Sequence, residues 1–138
     1  MTFGSCFNQP LSNSLDNLTQ LQQLTWGYDF NQELNIPYSV KILKLNCNNR
    51  KITDYLPNTI EELYLDKNFN LDLNDLPSSI KILSFNSESD YNKDLNNLPQ
   101  SLEKLYLPSN YNKKIINLNP NCQIIQKKEP VLSDMVLR

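Results

Sequence analysis

The chain has 138 residues, enough for one domain, with a formal net charge of −2, three cysteines and no histidine. This charge argues against a dedicated nucleic-acid binder, and no apolar run approaches the roughly 18 residues that a membrane span needs. Hydrophobic residues make up 39% of the chain, which is somewhat low for a globular protein. Asparagine, and not charged residues, takes their place, so the composition is not that of a disordered protein.

A short motif recurs along the whole chain. An aromatic residue, an asparagine, two variable residues and an aliphatic residue follow one another in FNQPL at Phe7, FNQEL at Phe30, FNLDL at Phe69, YNKDL at Tyr91 and YNKKI at Tyr111. A variant without the aromatic, NNRKI, ends at Ile52. The copies lie roughly 18 to 23 residues apart, a period that is typical of stacked-repeat architectures.

Each copy after the first follows a phrase with the pattern L-x-x-L-x-L-x-x-N. The phrases are LQQLTWGYD, VKILKLNCN, IEELYLDKN, IKILSFNSE and LEKLYLPSN. Their two-residue alternation predicts short strands near Leu24, Leu43, Leu63, Leu83 and Leu105, with one side buried. The asparagine at the end of the pattern is expected to satisfy backbone groups of the turn that leaves the strand.

Proline recurs on the return path, as in Leu56-Pro57 and Leu98-Pro99. Proline disfavours helix there. Together with the L-x-x-L-x-L-x-x-N pattern, which is typical of leucine-rich repeats, it predicts a repeat solenoid of that type. Parallel β-strands would form its concave face, and its convex side would be irregular or extended, with little helix. The motif aromatics are expected to stack in one buried column, with their asparagines as a second ladder, and the short NNRKI coil to be tighter and less well packed.

The two ends of the stack need caps, because end coils expose the core. We expect residues 1–126 to form the solenoid, of about five to six coils, and residues 127–138 to form a tail or partial cap. MTFGSC looks like a poor N-terminal cap. In the tail, apolar residues could fold over the last coil; these are Val131, Leu132, Met135, Val136 and Leu137.

These phrases together resemble the FNIP repeat, a leucine-rich-repeat variant of about 22 residues with an L-P-x-S-L-K-x-L step followed by F-N-x-P-L. Here the steps are IPYSVKIL, LPNTIEEL, LPSSIKIL and LPQSLEKL, and the resemblance spans about residues 7–125. It implies an origin in amoebae or in giant viruses that infect them, and often an F-box, which this chain has no room for ahead of Phe7. A bacterial-effector leucine-rich repeat is the runner-up family, but it lacks the F-N step.

Catalysis is not expected. Without histidine the Ser-His and Cys-His nucleophile arrangements are unavailable, and two glycines do not make a phosphate loop. Cys47 is expected at an outward position after its strand, as a bystander thiol. The three cysteines lack C-x-x-C spacing, so we expect no metal and no cofactor. Their odd number predicts free thiols and an intracellular, cytoplasmic location, in the host cell if the chain is viral.

The open strand face is the expected binding site. Its outward positions form columns, and the predicted protein-binding residues on this concave face are Ile42, Lys44, Glu62, Tyr64, Asp66, Ile82, Ser84, Lys104 and Tyr106. Tyr64 and Tyr106 carry the prediction, because tyrosine is enriched at interface hot spots. A non-enzymatic protein-interaction module with a protein partner, and neither nucleic acid nor membrane, therefore fits best.

Two alternatives stay open. The chain could be the substrate-recognition fragment or a paralogue of an F-box/FNIP ubiquitin-ligase adaptor that lacks its F-box, which only the family resemblance suggests. It could also be an architectural repeat that self-associates end to end if its ends are not capped.

Overall fold

The computed structural model describes residues 1–11 and 13–128, which form a parallel-stranded solenoid. Six strands lie side by side in chain order, β1 Gln23–Trp26, β2 Ile42–Leu45, β3 Glu62–Leu65, β4 Ile82–Phe85, β5 Lys104–Leu107 and β6 Gln123–Gln126. A single helical turn, α1 at Arg50–Thr53, is the helix among these residues. The predicted class, with parallel strands and almost no helix, is confirmed.

The strand register places the leucines in one buried column. Leu24, Leu43, Leu63, Leu83 and Leu105 are direct neighbours across β1 to β5, and none of them exposes any surface. Each is the second residue of its strand, and the fourth residue is also buried, so the two-residue period puts two side chains per coil into the core. The predicted strands and their inward register are confirmed.

The motif aromatics form a buried column beside the strands. Phe30, Phe69, Tyr91 and Tyr111 are all buried, and Phe7 is half-buried at the N-terminal end. Phe7 stacks on Phe30, and Phe69 stacks on Tyr91, each pair with ring centroids 6.2 Å apart. The expected asparagine ladder exists between Asn8 and the next copy, where the Asn31 backbone N–H donates to Asn8 Oδ1 at 2.9 Å.

Tyrosine is tolerated in this column because its hydroxyl has an acceptor within reach. Tyr91 Oη donates to the Leu71 carbonyl at 3.0 Å, and Tyr111 Oη donates to the Lys93 carbonyl at 2.9 Å. Each bond joins a coil to the one before it. Burial is the main cause that raises the pKa of both phenols, so they stay neutral donors.

A hydroxyl ladder on the return path explains the serine of the L-P-x-S step. Ser79 Oγ donates to the Ile60 carbonyl at 2.6 Å, and Ser101 Oγ donates to the Ile80 carbonyl at 2.7 Å. Ser39 and Thr59 make the same contact with Leu18 and Val40, at 3.0 and 3.4 Å. The ladder satisfies one carbonyl per coil on a side of the solenoid that has no strand.

The NNRKI coil, expected to be tighter and less well packed, contains the helical turn α1 and has a buried core. Asn49 caps α1, since its Oδ1 accepts the Lys51 N–H at 3.1 Å and its Nδ2 donates to the Gln32 carbonyl at 2.9 Å. Ile52 and Cys47 are both buried and occupy the core of the coil that lacks an aromatic. The helical turn places Ile52 inward, whereas Cys47 precedes that turn.

The N-terminal segment, residues 1–6, extends the sheet beyond β1. Thr2 bridges to Thr25 in parallel, with the Phe3 N–H donating to the Thr25 carbonyl and the Thr25 N–H donating to the Met1 carbonyl, both at 2.9 Å. Phe3 stacks on Trp26 with ring centroids 4.3 Å apart. The prediction that MTFGSC caps poorly is therefore wrong, because backbone pairing and one aromatic ring cover Leu24 and Trp26.

The opposite end of the stack is less complete. Ile124 pairs with Leu105 and so lies in the leucine column, yet 49% of its surface is exposed. Gln126 holds the inward position of Leu107, and its Nε2 donates to the Pro108 and Tyr111 carbonyls at 2.7 and 2.8 Å. The cap expected from Val131, Leu132, Met135, Val136 and Leu137 lies outside the described residues.

Candidate functional site

The concave face, the solvent-facing side of the sheet, carries all nine residues predicted for binding. Ile42 and Lys44 come from β2, Glu62 and Tyr64 from β3, Ile82 and Ser84 from β4, and Lys104 and Tyr106 from β5, while Asp66 directly follows β3. None of the nine is buried, and Lys44 and Lys104 are the most open. The parallel register aligns Lys44, Tyr64, Ser84 and Tyr106 in one row across four strands.

The structure divides these nine residues between a groove and an open surface. A groove of about 440 Å³ runs across the carboxyl ends of β1 to β4. Of the nine residues, Lys44, Tyr64, Asp66 and Ser84 line it, and Ile42, Glu62, Ile82, Lys104 and Tyr106 do not. The side chains of Thr25, Asn46 and Asn86 complete its polar lining, while residues of the N-terminal segment form one wall; these are Thr2, Phe3 and Ser5.

Tyr64 is held in place at the centre of this groove. Its hydroxyl donates to Glu62 Oε2 at 2.7 Å, and the ammonium of Lys44 lies 5.5 Å from the centre of its ring. The hydrogen bond to the Glu62 carboxylate is the main cause that raises the pKa of Tyr64 to about 12. Tyr64 is therefore a neutral, oriented aromatic surface, flanked by one cation and one carboxylate.

A polar ladder closes the end of the groove where the strands finish. Asp66 Oδ1 accepts the Lys67 N–H at 2.7 Å and the Asn86 amide at 3.2 Å, and Asn86 Oδ1 accepts the Glu88 N–H at 2.9 Å. These contacts satisfy backbone groups of the turn that leaves each strand. We expected that role of the asparagine two residues later, at the last position of the L-x-x-L-x-L-x-x-N pattern. At that later position Asn48 does bridge coils, through the Asn68 carbonyl at 3.0 Å and the Asn70 N–H at 2.7 Å.

Asn46, the next position along the same ladder, has an unused acceptor. Its Oδ1 is buried and has no hydrogen-bond partner among the described residues, and Asn46 lines the groove. A buried acceptor without a partner is unfavourable until a donor reaches it. A ligand N–H that entered the groove would supply that donor.

Cys47, expected to face outward, is covered instead, and so are Gly27 and Pro108. A Cβ on Gly27 would lie 2.2 Å from the Gly4 carbonyl oxygen, because the N-terminal segment crosses directly over it. Pro108 is buried. Cys47 is also buried, because it keeps the inward phase of the two leucines of β2, and this burial raises the pKa of its thiol to about 11.

The most exposed aromatic side chains lie elsewhere, on the convex side. Tyr38 and Tyr55 are 78% and 80% exposed. They flank a depression of about 770 Å³ between the Ile36-Pro37 step of one coil and the Leu56-Pro57 step of the next. Sequence reasoning missed this pair because it looked for binding residues only on the strands. The signal was present, since both tyrosines adjoin the proline steps that mark the return path.

Within the described ranges, no cluster of three or more cysteine, aspartate or glutamate side chains is arranged to hold a metal ion. In the same part of the chain no helix has the length and apolar character to cross a membrane.

This geometry defines the class of the protein: it is a β-solenoid of the leucine-rich-repeat type, with an open strand face and a groove across that face. The family profile described as FNIP Repeat matches residues 30–68, 48–88 and 68–110. Together these matches cover residues 30–110, more than half of the 138-residue chain. The chain therefore belongs to the FNIP repeat family.

Among solved structures the chain is similar to CroV588, described as a novel circular leucine-rich-repeat protein. The identity is 24%, the TM-score is 0.64, and the similarity covers 90% of this chain. The chain spans 23% of the length of CroV588, so the similarity supports the fold alone. A search of the curated proteins finds no match.

Proposed function

We propose that this chain is a non-enzymatic protein-interaction module that binds a segment of a partner protein in the concave groove. The repeat family and the leucine-rich-repeat fold are consistent with an interaction module. The observation that carries the proposal is the groove itself, which four adjacent strands and the N-terminal segment build together. Strands about 4.8 Å apart make four of them span roughly 14 Å, enough for an extended peptide or a tight turn.

The groove has the chemistry that a protein segment needs. Tyr64 supplies a large contact surface, and its bond to Glu62 already restricts its side chain, so little further entropy is lost on binding. Lys44 and Asp66 lie on either side and can pair with opposite charges. The free acceptor of Asn46 suits a backbone N–H of the partner.

The non-enzymatic part of the proposal rests on the absence of histidine from the sequence and on two of the three thiols. The chain has no histidine, and burial raises the pKa values of Cys47 and Cys122, which keeps both thiols protonated at neutral pH. Tyr64 is likewise a weaker acid than a free tyrosine. A catalytic group would need its pKa moved in the opposite direction, toward neutrality.

Site-specific photo-crosslinking in extract of the native cell tests the proposal. A benzophenone amino acid is placed at Ser84, inside the groove, and in a matched control at Tyr38, on the convex side. We expect one discrete protein adduct from the Ser84 variant, and competition of that adduct by excess unlabelled wild type. Equal capture from both positions, or capture from Tyr38 alone, would contradict a concave site.

A further inference from the structure

The two ends of the solenoid carry opposite charge. Residues 1–40 contain three acidic side chains, Asp16, Asp29 and Glu33, and no lysine or arginine. Residues 104–128 contain five lysines, at positions 104, 113, 114, 127 and 128, and no acidic residue. Since all three carboxylates and all five ammonium groups belong to exposed residues, this is a difference between two surfaces at opposite ends of the stack.

Most of these charges have no ion-pair partner among residues 1–11 and 13–128. Among the described residues, none of the three carboxylates forms an ion pair, whereas the middle coils contain pairs such as Lys41 with Glu61 and Arg50 with Asp72. Of the five lysines, Lys113 pairs with Asp94 at 3.1 Å. Ion pairs between neighbouring coils are therefore common in the middle of the stack and rare toward its two ends.

The basic end also exposes a core position. Ile124 lies in the column whose other five members are fully buried, yet it is 49% exposed, and Ile116 nearby in sequence is exposed to the same extent. Within residues 1–11 and 13–128, no strand pairs with the outer edge of β6. An exposed edge with an apolar side chain behind it is a template for another strand.

The acidic end presents a matching edge. Thr25 bonds to both Met1 and Phe3, so in a parallel ladder the N–H and carbonyl of Thr2 point away from β1. Residues 1–3 run parallel to the strands of the sheet. A second molecule in the same orientation would therefore place its residues 1–3 beside β6 as the next parallel strand.

We infer that copies of this chain associate head to tail, with the β6 edge of one copy pairing with residues 1–3 of the next. The exposed Ile124 is covered by the incoming coil, and the lysines that follow β5 and β6 face the carboxylates of the first coils. The contact is heterologous, because different surfaces meet, so it extends into filaments or closes into rings according to its rotation per step.

Sedimentation velocity of the full chain over a wide concentration range tests this inference. We expect assembly that grows with concentration and weakens as NaCl rises from about 0.05 to 0.5 M, because salt screens charges at the surface. Reversing the acidic end with Asp29→Lys and Glu33→Lys should abolish assembly, and so should reversing the basic end with Lys127→Glu and Lys128→Glu.

Mixing the two charge-reversed proteins distinguishes this contact from other forms of association. Each reversed protein repels itself, whereas in the mixture every contact again joins opposite charges, so we expect assembly to return. Ile124→Asp should prevent assembly, and the matched control Tyr38→Asp, on the exposed convex side, should not.

Two results would overturn the inference. The first is a wild type that stays monomeric at every concentration. The second is a mixture of the reversed proteins that stays monomeric, since the charges would then play no part. Circular dichroism confirms in each case that the variants are folded.

Discussion

Phe69 and Tyr91 lie one above the other in neighbouring coils, with ring centroids 6.2 Å apart and planes 22° from parallel. Phe69 is buried. Phe69→Ala should lower the free energy of unfolding by about 3 to 5 kcal/mol, because it removes a buried aromatic and leaves a cavity between two coils. Urea denaturation measures this. A loss below about 1 kcal/mol would mean that the aromatic motif does not hold the coils together.

The leucine column provides a matched comparison within one structural position. Leu63→Ala should cost roughly 2 to 5 kcal/mol, since Leu63 is fully buried between β2 and β4. Ile124→Ala removes a similar side chain from the same column where half of it is exposed, so its cost should be under half as large. Equal losses of unfolding free energy for the two variants in urea denaturation would contradict the partial exposure of Ile124 at the end of the stack.

The close approach of the N-terminal segment to Gly27 makes a second matched pair. Gly27→Ala places a methyl group against the Gly4 backbone, whereas nothing lies within 4 Å of a Cβ on Gly4. We expect Gly27→Ala to detach residues 1–6, with faster hydrogen exchange at the Thr25 amide, and Gly4→Ala to leave that exchange unchanged. Similar exchange in both variants would show that the segment does not lie across Gly27.

The buried thiol of Cys47 predicts a pH dependence of stability. Its pKa is about 11 in the folded protein against 9.0 for the free group, so between these values the unfolded chain loses the proton while the folded chain keeps it. The free energy of unfolding should therefore be unaffected by this thiol below pH 9 and should fall by about 2 to 3 kcal/mol as the pH rises to 11.

Cys47→Ala is the control for that measurement, because it removes this titration while other groups continue to titrate. We expect the wild type to lose stability more steeply than Cys47→Ala between pH 9 and 11. Parallel curves for the two proteins would show that the thiol is accessible to water in the folded state.

The strand ladder and the aromatic column were predictable because both depend on simple periods. A two-residue alternation repeats around Leu43 and Leu63, and the aromatic recurs at one fixed distance after it. The outward position of Cys47 was predicted wrongly, because Cys47 lies four residues after Leu43 and so keeps the inward phase of the strand.

Other features had no local pattern to reveal them. The pairing of residues 1–3 with β1 depends on contacts between distant parts of the chain, and Gly27 shows its role only once Gly4 lies over it. The groove was only partly predictable. The row of Lys44, Tyr64 and Ser84 follows from the period, but the wall that the N-terminal segment adds beside β1 does not.

The central claim is that the concave face binds a partner protein through its tyrosines. Isothermal titration calorimetry with the purified partner that the photo-crosslinking identifies tests this claim. The concave double variant carries Tyr64→Ala and Tyr106→Ala, and the convex double variant carries Tyr38→Ala and Tyr55→Ala. We predict that the concave variant keeps its fold and binds at least about tenfold more weakly, roughly 1.4 kcal/mol, while the convex variant binds like the wild type. Unchanged binding by the concave variant, with loss in the convex one, would contradict the claim and place the site at Tyr38 and Tyr55.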